Sequence, residues 1–95
     1  MFTGISIEID HEQKSALRLW RAVINQAVAD AFSEKRHDRV GVSRWLLSKD
    51  FETVCDFASF DPRVIKRCIA EILMENGSVR AEVLGKRMIT ELEEV

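Results

Sequence analysis

The only proline of the chain, Pro62, follows Asp61 in the middle of a run that otherwise reads as helix, DFETVCDFASFDPRVIKRCI (Asp50–Ile69). Proline in a helix interior removes a backbone donor and clashes with the preceding turn, but it is welcome at the first helical position. Asp61 in front of it is a strong N-cap residue. The run therefore divides into two helices joined by a tight turn, a helix-turn-helix.

Physics imposes a pattern on such a unit. The first helix needs apolar residues on its inner side and a small residue where the second helix crosses. The turn needs a residue that tolerates positive φ, followed by an apolar plug. The second helix needs an apolar inner side and leaves the other side free. Here Phe51 and Val54 face inward, Cys55 is the small residue and Ala58 closes the first helix. Ser59 holds the turn position, which glycine usually occupies, so it must adopt a left-handed conformation or the turn is of another kind. Phe60 is the plug. Val64 or Ile65, with Cys68, returns the second helix to the core. Arg63, Lys66 and Arg67 are left on the outer side, at three- and four-residue spacing. Cations exposed at the start of a capped helix are what phosphate and guanine contacts require. Arg44 and Lys49, just before the unit, would hold the DNA backbone. The plainer alternative is a helix corner in a bundle whose basic side is merely solvated, and Asp56 and Asp61 weigh towards it.

Upstream, HEQKSALRLWRAVINQAVADAFSEK predicts one long helix over residues 11–35, with Asp10 as its N-cap and Gln13 completing a capping box. Leu17, Trp20, Ile24, Ala27 and Ala31 share a face, which Ala16, Leu19, Val23 and Val28 widen. So broad an apolar face suits a central helix, or one that also pairs with a second copy. Ahead of it, Ile5, Ile7 and Ile9 alternate with Ser6 and Glu8, so residues 1–10 read as a short strand or an extended arm. Glu34–Gly41 reads as a polar loop whose Lys35, Arg36, His37 and Arg39 are solvated or touch phosphate. Val42–Asp50 gives a short helix capped by Ser43 and buried through Trp45, Leu46 and Leu47, with Ser48 or Asp50 capping the next one. Asn76 and Gly77 stop that helical stretch, and Ser78 can start another. Val79, Val83, Leu84, Met88, Ile89 and Leu92 favour a final helix over residues 78–95. Gly85 inside it keeps a hairpin-like wing as an alternative. The expectation is a single all-α domain: a small bundle of four to five helices, with residues 43–75 holding the short helix and the helix-turn-helix.

The composition excludes several classes. The two cysteines, Cys55 and Cys68, lie far apart in apolar periodic runs, so they read as buried free thiols rather than metal ligands or a redox pair. His11 and His37 have polar neighbours and no nucleophile. No glycine loop cradles a phosphate, so the chain reads as a non-enzyme without cofactor or metal. With no export signal and no spanning stretch, a cytoplasmic location is expected. The formal net charge is -2, but residues 34–67 carry eight basic and six acidic side chains while residues 68–95 carry three and six. The middle of the chain is thus net +2, a weak asymmetry that a solvated mixed surface also produces.

The segments LRLWRAVINQAVADA and WLLSKDFETVCDFASFDPRVIKR together resemble a group of small phage- and prophage-encoded proteins. These share an LWRAV helix followed by a block with the order Trp/Asp-Phe/Val-Cys/Asp-Pro. The resemblance covers about Leu17–Arg67 and implies a helix-turn-helix in the second block. It bears on a phage-type origin and on the fold more than on any activity. The helix-turn-helix pattern itself suggests a small DNA-binding transcriptional regulator, with the long first helix and the N-terminal arm forming a homodimer on duplex DNA. A phage-type module that binds and modulates a host protein is the alternative, with the apolar first helix and Glu91, Glu93 and Glu94 supplying the surface.

Overall fold

The structure, a computed structural model, describes residues 2–94, and the side-chain surroundings of residues 15–93. Five helices follow one another: α1 (Phe2–Ala31), α2 (Arg36–Trp45), α3 (Lys49–Phe57), α4 (Pro62–Met74) and α5 (Val79–Glu94). The described residues contain no strand. The protein is an all-α bundle in which α1 packs against each of the other four helices. Its core draws on every element: Ile24 and Val28 from α1, Val42 from α2, Phe51 and Cys55 from α3, Ile65, Ile69 and Ile72 from α4, and Ala81 and Met88 from α5. Large apolar side chains buried this fully each stabilise the fold by about 1.5–3 kcal/mol.

The N-terminal segment departs from expectation. Residues 2–10 are neither strand nor arm but the first turns of α1, so Asp10 lies inside the helix rather than at its cap. A lone strand would leave its backbone donors and acceptors unpaired, and the described residues hold no second strand to meet them. A helix closes those bonds within itself. The side chains of residues 2–14, His11 among them, lie outside the described set.

The second difference is at the α1–α2 junction. The helix ends at Ala31, not near residue 35, and α2 begins at Arg36 inside the stretch expected to be loop. Polar residues build the corner. Ser33 Oγ accepts from the Lys35 N–H at 3.1 Å and donates to Asp38 Oδ2 at 2.8 Å. Arg39 Nη1 donates to the carbonyls of Ser33 and Glu34, both at 2.8 Å. Those carbonyls belong to the chain leaving α1, so Arg39 is tied into a structural corner instead of reaching outward. Ser43 caps nothing; mid-helix, its hydroxyl donates to the Arg39 carbonyl. The expected helix over Val42–Asp50 is divided: Val42–Trp45 finish α2, a turn follows, and α3 starts at Lys49. In that turn Leu46 is buried, but Leu47 is 83% exposed and adds nothing to the core.

Other local signals behave as expected. Ser48 caps α3 by accepting the Phe51 N–H, and Ser78 caps α5 by accepting the Ala81 N–H. Asn76 and Gly77 both take positive φ at the end of α4. Gly77 also packs where a Cβ would lie 2.7 Å from both Arg39 Nη1 and the Ser33 carbonyl, so the two corners of the bundle interlock there. The last segment is a helix, not a wing. Gly85 within it is buried under the ring of Phe32, the first residue after α1.

Candidate functional site

The site grows from how α3 stops. Ala58 is its C-cap, and three backbone bonds close the end: the N–H groups of Ala58, Ser59 and Phe60 donate to the carbonyls of Val54, Asp56 and Cys55 at 2.9, 3.1 and 2.9 Å. The last two bonds define a Schellman turn, which demands a left-handed residue between them. Ser59 supplies it with φ of 61° despite its Cβ. Phe60 then folds back, half-buried against the core, as its role as a plug requires.

Asp61 opens α4. Its Oδ1 accepts the Arg63 N–H at 2.9 Å, and Pro62 follows it at the helix start. The Arg63 N–H, then the Arg63 side chain, then the charges of Arg63 and Arg67 hold the Asp61 carboxyl below its ordinary range. The inner side of α4 is Ile65, Ile69 and Ile72, with Cys68 half-buried; Val64 faces out. At 100° per residue the opposite face carries Arg63, Arg67, Ala70 and Met74, flanked by Val64 and Glu71.

Arg63 is 92% exposed and reaches Asp61 Oδ2 through Nη2 at 3.4 Å, a long and solvated contact of little strength. Arg67 is exposed and makes no ion pair among the described residues. Lys66 differs from expectation in part. It is half-buried, with its ammonium 5.7 Å from the centre of the Phe51 ring, which draws it aside from the two arginines. Phe51 meets Trp45 edge-on at 5.1 Å. Lys66 therefore lies over the aromatic pair that joins the end of α2 to the start of α3. Arg44 and Lys49, both exposed, project from that same junction. Arg63 and Arg67 thus share one face of α4, while Lys66 is drawn towards Phe51 at the start of α3. Asp50, Glu52 and Asp56 are exposed on α3.

Of the residues that hold this site, Arg21 was not legible in the sequence. Arg21 on α1 donates from Nε to the Ala58 carbonyl at 3.2 Å, and its guanidinium lies 4.8 Å from the centre of the Phe60 ring. Beside it, Trp20 stacks on Phe57 with ring centroids 5.1 Å apart. Together they fasten the last turn of α3 and its plug to the central helix. A cation at a helix C-terminus also opposes the negative end of the dipole. The separation of 37 residues between Arg21 and Ala58 leaves no local pattern to read.

His37 is fully exposed beside Asp38. The Cys55 thiol is pushed up to about 11 by burial first and by Asp56 and Asp61 second. Cys68 is raised too, by burial and by Glu71 and Glu91 against the opposing charge of Arg67. Among the described residues no three His, Cys, Asp or Glu side chains gather to hold a metal, and no helix is long and apolar enough to cross a membrane. Comparison with protein-family models, curated proteins and solved structures finds no match for the chain.

Proposed function

We propose that this chain is a small phage-type regulator that binds duplex DNA, with α3 and α4 as a helix-turn-helix and α4 as the helix entering the major groove. The observation that carries the reading is the start of α4. A Schellman turn and an Asp–Pro cap leave Arg63 and Arg67 exposed one turn apart, at the positive end of the helix. The N-terminal residues of a recognition helix are the ones that meet base edges. Ala70 and Met74 continue the same face with small and apolar groups suited to thymine methyls. Arg44, Lys49 and Lys66 serve the flanking phosphates. The protein acts in the cytoplasm as a homodimer, so that two copies of α4 meet two half-sites. It needs no cofactor and performs no catalysis.

The test is the double variant Arg63→Ala/Arg67→Ala in a low-salt gel shift with duplex DNA. Binding is lost while the helical circular dichroism is kept, and each single variant lowers the slope of log affinity against log salt by about one if its residue contacts phosphate. Unchanged affinity removes the reading. The second reading, a module that binds a host protein, draws on the net charge of -2 and on Leu19 and Val23, which leave an apolar strip of α1 uncovered. A stoichiometric protein retained from nuclease-treated host lysate, with no duplex binding, would replace the first reading by the second.

A further inference from the structure

Two residues on α1 and α2 stand where their own helices would be better without them. Gly41 lies in the interior of α2 without a positive φ, and a Cβ built on it meets nothing within 4 Å. Neither backbone conformation nor packing calls for glycine there, and a helix is less stable with it than with alanine. Asp30 lies in the last turn of α1, where the helix dipole disfavours a carboxylate. Its side chain accepts from Gln26 Nε2 at 3.1 Å, and among the described residues it meets no lysine or arginine within 4 Å.

Both residues line one groove. α1 and α2 part from the Ser33 corner, and between them lies an open cavity of about 420 Å³. Its body is apolar, built from Val23, Ala27, Val42 and Trp45. Its end at the corner is acidic. Asp30, whose carbonyl accepts the Ser33 N–H, stands on one side, and Asp38, whose Oδ2 accepts the Ser33 hydroxyl, on the other. The other oxygen of Asp38 has only the exposed His37 near it, at 3.8 Å. Lys35 and Arg36 are exposed at the corner and do not line the groove. A cavity of this size, mostly apolar with a few convergent polar groups, has the make-up of a small-molecule site.

We propose that the groove binds a small organic cation with an apolar tail, an amphiphilic amine. Its ammonium sits between Asp30 and Asp38, where an anion would meet two carboxylates. Its tail runs along Ala27 and across Gly41, in the space a side chain there would fill, towards Val23 and the ring of Trp45. Seven residues separate Asp30 from Val23 (30 − 23), about 10 Å of helix, which sets the length of the tail. The two locally unfavourable residues are thus the ones the ligand uses, one for charge and one for room.

The inference is independent of any DNA contact. The probe is phenylbutylammonium, titrated into the isotope-labelled full chain and followed by amide and indole NMR, with phenylbutanol and phenylbutanoate as neutral and anionic counterparts. The ammonium gives saturable shifts at Gly41, Val42 and the Trp45 indole, and the other two bind at least about tenfold more weakly. Asp30→Asn weakens the ammonium by about tenfold and leaves the alcohol unchanged. Gly41→Leu fills the groove and abolishes binding of all three. Both variants keep the helical circular dichroism and do not lower Tm, because each removes a residue its helix disfavours. No saturable shift in the wild type overturns the proposal, as does a carboxylate that binds as tightly, or undiminished ammonium binding by either variant. Sedimentation equilibrium without ligand checks the rival occupant: a wild-type dimer that Gly41→Leu makes monomeric means a second copy fills the groove, and that also overturns it. A gel shift that fails while the ammonium binds strikes only the DNA reading.

Discussion

Gly85→Ala is a substitution on which sequence reasoning and packing give opposite signs. Replacing glycine by alanine inside a helix ordinarily stabilises by about 0.8–1.0 kcal/mol. Here the new methyl would fall inside the van der Waals envelope of Phe32 Cδ2, with Cε2 at 2.8 Å and Cγ at 2.9 Å. Cγ is the root of the ring, so a rotation of the ring tip does not relieve the overlap, and Phe32 must leave its place between α1 and α5. Overpacking of this kind costs about 1–3 kcal/mol. The balance is a net loss of about 1 kcal/mol, which in a domain of this size lowers Tm by roughly 4–8 °C. Urea unfolding followed by circular dichroism measures it. The same substitution in a Phe32→Ala background has no ring to displace, so there it stabilises by about 1 kcal/mol. The cycle thus yields a coupling of about 1–3 kcal/mol between two positions 53 residues apart in numbering (85 − 32). A gain in stability from Gly85→Ala alone, or no coupling between the two sites, would refute the reasoning.

The turn and the thiols give two further expectations. Ser59→Gly removes the strain of a side chain held at φ of 61° and, after the entropy that glycine adds to the unfolded chain, stabilises by about 0.5–1 kcal/mol in the same urea assay. Ser59→Val, which cannot take that conformation cheaply, destabilises. Because the folded pKa of Cys55, about 11, lies above the ordinary thiol value of 9.0, its contribution to stability is complete below pH 9 and is lost as pH rises through 11. A chromogenic disulfide reagent at pH 8 accordingly leaves Cys55 untouched in the native protein and counts two thiols once urea unfolds it. Fast native labelling of Cys55 would show that the α3–α4 corner opens far more readily than its packing implies.

The α3–α4 unit was legible because each of its signals is local. A proline with aspartate before it, a small polar residue after Ala58 and an aromatic plug each act within a few residues, and together they located the turn. Ser48, Asn76, Gly77 and Ser78 were readable for the same reason. The N-terminal isoleucines were not, since Ile5 and Ile9 satisfy a helical spacing as well as the alternation they form with Ile7; the availability of a partner strand decides, and that is a property of the whole chain. The start of α2 was hidden because its first turn buries no apolar side chain and stands on the Ser33–Asp38 and Arg39 contacts. Lys66 was placed on the outer face by periodicity, but the Phe51 ring beneath it belongs to another helix. The roles of Arg21 and Arg39 depend on backbone carbonyls that only the folded chain brings within reach.

Adjacent positions on α1 have opposite duties: Leu19 points into solvent, while Trp20 and Arg21 grip the end of α3. One helical turn therefore joins the outside of α1 to the orientation of α4. A torque applied at that turn is delivered to the α3–α4 corner through continuous hydrogen-bonded backbone.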